Sequence, residues 1–445
     1  MKEENLTQGP IFQKLLRFSL PMIAGNLLQQ IYNLVDTLVV GKCIGANALA
    51  AVGSAYTLMV FLTSIIIGLC MGSGAFFSTD YGARDEEKLK GDIWLSFWFI
   101  LAVTAGLYLI LYPGMEPILK LLQTPAELMD MTREYVAAVF VGILFVFLYN
   151  FFSFLLRAMG NSVVPLIFLA ISSLINVVLD IWFVAGLHMG VAGAAWATVI
   201  AQAVSGVGIG VYAVRKLPQL RLNRENRKWN MPRLKEIIFN DVATGIQQSV
   251  MNFGILMIQG LVNSFGPTIM ASFAAAVKID TIAYMPAQEF GNAYSMFVSQ
   301  NYGAKQEERI RQGTRISFLV SALFCAVISV LIWLFARNLM LLFIDPEETA
   351  IVAEGIRYLR IEGAMYVGIG VLFLWYGYFR GVGKPHISLI LTIISLGTRV
   401  VLSYALAPTT PLGVVAIWCS IPIGWFLADG AGVLFYLGRN RARRV

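Results

Sequence analysis

The sequence predicts an all-α polytopic membrane protein: twelve transmembrane helices in two six-helix lobes related by a parallel internal repeat. Three observations predict it. The 445-residue chain is 58% hydrophobic and 13% charged, with a mean hydropathy of +0.72, outside the range of soluble globular domains. Apolar runs of about 20 residues recur along it, the length of a spanning helix, whereas the strands of a β-barrel would be about ten residues of strict alternation. A charged segment also occurs twice, because Tyr81-Gly82-Ala83-Arg84-Asp85-Glu86-Glu87-Lys88 matches Tyr302-Gly303-Ala304-Lys305-Gln306-Glu307-Glu308-Arg309 at an offset of 221.

The expected spans are 16–40, 50–78, 92–112, 132–156, 163–185, 191–214, 238–263, 269–299, 314–336, 355–379, 386–407 and 412–437. The opening MKEENLTQGP is not basic enough for a signal-peptide n-region, so the first span is expected to stay in the mature protein. Pro21 lies inside that span, where it removes a backbone donor and marks a candidate hinge. GKCIGANA makes a short turn into the second span, which ends in the small-residue stretch GLCMGSGAFFST. The loop YGARDEEKLK follows.

The repeat extends beyond that loop. Gly45 pairs with Gly266 and Ala50 with Ala271, while Arg157-Ala158-Met159-Gly160 corresponds to Arg380-Gly381-Val382-Gly383. The expected organisation is an N-terminal lobe at 1–214, a basic linker at 215–236, a C-terminal lobe at 237–437 and a basic tail at 438–445. Six spans per half is an even number, so both halves enter the membrane in the same direction, related by an axis along its normal. Secondary transporters whose lobes rock around a central cavity are built this way.

Charge sets the expected orientation. The outer connections would hold only Lys42, Lys120, Arg133, Arg337, Arg357 and Arg360, while every other basic residue except Lys278 and Arg399, which lie within spans, falls on the opposite side, so both termini are expected in the cytoplasm. This asymmetry accounts for the net charge of +7 without a nucleic-acid partner. Cys43, Cys70, Cys325 and Cys419 lack C-x-x-C spacing, and only two histidines occur, which leaves no disulfide framework, structural zinc site or His-rich metal site. With no G-x-x-x-x-G-K-[ST], H-E-x-x-H or G-x-S-x-G motif, neither a nucleotide motor nor an enzyme is expected.

The polar residues inside the spans carry the chemistry. Asn26, Gln29, Asn33 and Asp36 recur at spacings of three, four and three, one stripe on an otherwise apolar helix. A carboxylate at bilayer depth costs roughly 2.5–3.5 kcal/mol on insertion scales, so Asp36 should face protein or a watery cavity. Ser172, Asn176 and Asp180 form a second stripe at spacings of four, and Thr198, Gln202 and Ser205 a weaker third. Two carboxylates with an amide and a hydroxyl supply hard oxygens for a cation, or a pair of sites for a proton. An internal polar contact that locks helices together is the alternative. In the second half, Gln248, Asn252, Gln259 and Asn263 form an uncharged stripe. Span eight carries Lys278, Asp280 and Glu289 among Tyr284, Gln288 and Asn292, and Arg399 and Asp429 add further charges, for which a structural pair is one reading.

SLPMIAGNLLQQIYNLVDTLVVG, the YGAR and YGAK loops, and NVVLD together resemble the multidrug and toxic compound extrusion (MATE) family over about residues 10–437, and within it the DinF-type branch. The resemblance implies a two-lobe exporter that exchanges Na⁺ or H⁺ for bulky, often cationic organic compounds. It implies a cation or proton site at Asp36, Asn176, Asp180 and Thr198, lined also by Tyr32 and Tyr135, with Pro21 as the bending point. An acidic site of the kind another branch uses in spans seven and ten is not expected, because Gln247 and Gln248 stand in span seven and VGIGVLFLWY in span ten carries no charge. The expected substrate cavity comprises Gln29, Tyr32, Asn33, Tyr135, Gln248, Asn252, Asp280, Tyr284 and Gln288. The expected partners are small organic substrates and the bilayer of a bacterial plasma membrane, with a monomeric chain, no cofactor and H⁺ or Na⁺ as coupling ion. A lipid-linked oligosaccharide flippase is the competing reading; a membrane-embedded enzyme and a channel are weaker ones.

Overall fold

A computed structural model describes residues 4–121 and 124–442, so positions 443–445 of the expected basic tail lie outside the described residues. All twelve expected spans are helical, and no strand occurs among the described residues. In chain order the helices are α1 Ile11–Cys43, α2 Ala46–Ala83, α3 Glu86–Leu111, α4 Met115–Leu121, α5 Met129–Ala158, α6 Val163–Asp180, α7 Gly190–Lys216 and α8 Met231–Asn263; then α9 Pro267–Gly303, α10 Glu307–Met340, α11 Thr349–Glu362, α12 Tyr366–Gly381, α13 Pro385–Leu406 and α14 Val414–Ala442. Ten segments of the described chain are long and apolar enough to cross a membrane, and α1 and α8 are not among them. Both are 33 residues long, and their polar stripes dilute the apolar window.

Three local features differ from the expectation. The loop YGARDEEKLK is a tight turn: α2 runs to Ala83 and α3 begins at Glu86, with Asp85 accepting the Lys88 N–H at 3.1 Å as an N-cap. Glu86 and Glu87 in the first turn of α3 complement its dipole, so these charges build a helix start where a loop was expected. The tenth span is broken, because α11 and α12 are joined by a 3₁₀ turn at Gly363–Met365. After Asp180 the sixth helix widens to π geometry over Ile181–Gly186, with the Leu187 N–H bonded to the Trp182 carbonyl at 2.8 Å.

The backbone repeats along with the sequence. Gly45 and Gly266 both have positive φ, 119° and 96°, at the entry to α2 and α9, a conformation that a Cβ would strain. Arg84 and Lys305, at the same offset, both adopt left-handed backbone, φ 58° and 57°.

The chain folds as two compact units: residues 1–6 with 17–245, and residues 7–16 with 246–445. The division falls within α8, after Gly245. In the first unit, α5 packs on α2 and α7, around a cluster in which the Phe97 and Phe151 rings lie 5.3 Å apart and Phe77 and Phe151 5.8 Å. In the second unit, α9 packs on α12 and α13 on α14; Trp418, fully buried, stacks on Phe273 at 5.4 Å and meets Tyr358 edge-on at 4.8 Å.

Candidate ion and substrate site

The first unit encloses a cavity of about 260 Å³, lined from α1 by Gln29, Tyr32, Asn33 and Asp36, from α5 by Tyr135, from α6 by Ser172 and Asn176, and from α7 by Thr198 and Gln202. The three polar stripes therefore converge on one space. The reason is geometric: a spacing of three or four keeps polar groups on one helix face, and the apolar faces of the same helices are left for packing and lipid.

Asp180 is fully buried beside this cavity, and its carboxylate lies within hydrogen-bonding reach of Asp36. Two ionised carboxylates are both acceptors, so the contact needs a proton or a cation between them. Asp36 Oδ1, both Asp180 oxygens, Asn176 Oδ1 and Gln202 Oε1 accept no hydrogen bond from the protein. The Asn176 amide donates to Thr198 Oγ1 at 3.3 Å, which leaves the Asn176 carbonyl oxygen available. By contrast the Ser172 hydroxyl donates across to the Ala201 carbonyl of α7 at 2.8 Å, joining the two helices, and the Ser205 hydroxyl donates back to the Gln202 carbonyl of its own helix at 3.0 Å. Tyr32, Tyr56 and Tyr135 line the same cavity. Among the described residues no group of three or more His, Cys, Asp or Glu could hold a metal, so a Na⁺ ion here would be held by two carboxylates with the oxygens of Asn176 and Thr198.

The candidate residues of the second half separate. Gln248 and Gln288 line a small cavity of about 20 Å³ with Gln247, Asn292 and Arg380. Asn252 turns back to the Gln248 carbonyl at 3.3 Å. Asp280 is buried elsewhere, where it accepts the Tyr366 hydroxyl, with Tyr284 nearby. Glu289 accepts the Asn292 amide at 3.3 Å and lies close to buried Arg380, whereas Lys278 is exposed. Arg399 faces Asp280 and Glu362, and Asp429 lies near Tyr376. Pro21 sits within an unbroken α1.

Sequence reasoning missed two polar clusters. One joins Asp80, Asp92, Arg233 and Asp241 to Ser73 in the first unit. The other adds Glu362 to Asp280 in the second. Glu362 was legible as a carboxylate two residues from Arg360, in a span whose centre is otherwise uncharged.

Comparison with known proteins places the chain in a family. The family model MatE matches residues 21–182 and 243–405. The probable multidrug resistance protein YpnP of Bacillus subtilis is 31% identical over 100% of this chain and 99% of its own. The probable multidrug resistance protein NorM of Thermotoga maritima is 24% identical over 98% of this chain and 94% of its own. A crystal structure of MATE in complex with MaL6 superposes with a TM-score of 0.93 at 24% identity, covering 99% of each chain, which shows a shared fold.

Proposed function

This chain belongs to the MatE family of membrane transporters, and from that premise we propose that it is a secondary antiporter exporting organic, cationic and amphipathic compounds in exchange for H⁺ or Na⁺. The observation that carries the reading is the Asp36–Asp180 pair beside the 260 Å³ cavity. An unoccupied pair repels itself and has no protein donor to relieve it; a proton or a cation relieves it. A cationic substrate in the same cavity does so too, and competition for one negative site is a route to exchange. Coupling then requires that ion and substrate prefer different states of the transporter. The rings of Tyr32, Tyr56 and Tyr135 supply apolar and cation–π surface for varied organic cations.

Export is supported by the names of the relatives, the multidrug resistance protein above and the multidrug export protein MepA of Staphylococcus aureus, 23% identical over 99% of this chain. The chain is read as a monomer of the DinF-type branch in a bacterial plasma membrane, with both termini cytoplasmic and Pro21 as the point at which α1 bends. Alternating access of two lobes is the transport cycle.

The test uses inside-out vesicles and ethidium, with a proton gradient and a sodium gradient imposed separately, for wild type, Asp36→Asn and Asp180→Asn. Uptake driven by one gradient and lost in both variants supports the reading and identifies the ion. Variants that transport as well as wild type refute the coupling site.

A further inference from the structure

The second unit holds a carboxylate pair of its own. Asp280 on α9 and Glu362 at the end of α11 are 2% and 3% exposed, and their carboxyl groups lie within hydrogen-bonding reach of each other. Asp280 Oδ1 accepts the Tyr366 hydroxyl from α12, and Tyr358 of α11 is buried beside the pair. Asp280 Oδ2 and Glu362 Oε2 accept nothing from the protein. Arg399 of α13 is the cation that faces them, and Tyr284 of α9 completes the surround. From α14, Trp418 reaches α11 at a different place, bonding to Glu354 at 2.8 Å.

The charges do not balance. Two carboxylates against one guanidinium leave one negative charge buried, and one proton removes it. A metal cation fits poorly, because only two carboxylate oxygens are available and the cation would sit beside Arg399. The position within the repeat is informative as well. At the repeat offsets of 221 and 223, Asp280 and Glu362 correspond to Met59 and Val139, both of which line the cavity of the first unit. The second unit therefore places acid where the first places apolar wall, and its equivalents of Asp36 and Asp180, Met257 and Ser403, carry no charge.

We propose that Asp280 and Glu362 share one proton, forming a protonation site in the second unit that is separate from Asp36 and Asp180. The proton comes from water and returns to it, with no other bond made or broken. Tyr366 orients the Asp280 carboxyl group, and Arg399 balances the charge that remains.

The test is infrared spectroscopy of the full-length protein in lipid nanodiscs, in an Asp36→Asn/Asp180→Asn background that silences the first pair and makes the result independent of the proposed antiport. One carboxylic-acid C=O band of the background should vanish in Glu362→Gln. The same band should vanish in Asp280→Asn and in the double variant, with no second band lost. Glu362→Asp, which keeps a carboxyl group, should retain it and separate loss of the proton from loss of folding. No band change in either single variant would overturn the proposal, as would the loss of two separate bands. Sodium-dependent loss of the wild-type band, absent in Glu362→Gln, would overturn it in favour of a metal site.

Discussion

Arg233, in the first turn of α8, closes on the carboxylate of Asp92 in α3 with both its Nε and Nη2 atoms, the Nε contacts measuring 2.9 and 3.1 Å. Asp80, 1% exposed, lies 3.6 Å away on the other side. Burial works against the Arg233 charge, but the carboxylates of Asp92, Glu236 and Asp80 outweigh it and hold its pKa above the ordinary range. The start of α8 is thereby fixed to the first unit by charge-assisted hydrogen bonds.

Arg233→Met should lower stability by about 3–5 kcal/mol, because it leaves buried Asp92 without its guanidinium, while Asp80 keeps Lys88 at 2.9 Å. Arg233→Lys should fall between, since an ammonium cannot make the two-pronged contact. Thermal unfolding in detergent measures both, and a Met variant that melts with wild type would show that the network does not hold α8.

Further along the same crossing, Ser73 donates to buried Asp241 at 2.5 Å, and the helices nearly touch at Gly68 and Gly245. A Cβ on Gly68 would lie 2.5 Å from the Gly245 Cα, whereas one on Gly53 of the same helix meets nothing within 4 Å. Gly68→Ala should therefore cost about 1–3 kcal/mol or more from overpacking. Gly53→Ala should be neutral or gain up to about 1 kcal/mol of helix propensity. Equal melting temperatures for the two variants would contradict the close approach.

Asn176→Ala removes an unsatisfied carbonyl oxygen from the cavity wall, and Thr198→Val removes the hydroxyl that receives its amide. Each should raise the ion concentration that half-saturates dye exchange by about tenfold, equivalent to about 1.4 kcal/mol. Ser172→Ala, whose hydroxyl is spent on the Ala201 carbonyl, should leave that concentration nearly unchanged. Dose–response curves in vesicles decide it.

Pro21→Ala restores a backbone donor within α1 and should stabilise the straight helix by up to about 3 kcal/mol. If bending at Pro21 belongs to the cycle, ethidium transport should fall while thermal stability rises. A variant that is more stable and equally active would make the proline a static feature.

What the sequence made legible follows helical periodicity. The stripes Gln29-Asn33-Asp36 and Ser172-Asn176 each lie along one cavity wall because residues three and four apart share a face in any helix. The partners Asp92–Arg233 and Ser73–Asp241 are 141 and 168 residues apart, and no local pattern announces such contacts. Asp280 and Tyr284 looked like part of one substrate surface with Gln248 and Gln288, since spacing places them on one helix but does not say which neighbour each will meet. The break at Gly363–Met365, which positions Glu362, is not announced by a proline in the sequence.

In the proposed exchange the Asp36–Asp180 pair holds the ion that the substrate displaces. The most direct test titrates ethidium into the purified full-length protein while counting released protons and displaced ²²Na⁺. Wild type should release one or the other as dye binds, and the Asp36→Asn/Asp180→Asn variant should release neither. Dye binding to wild type without displacement of either ion, or equal displacement from the double variant, would contradict it.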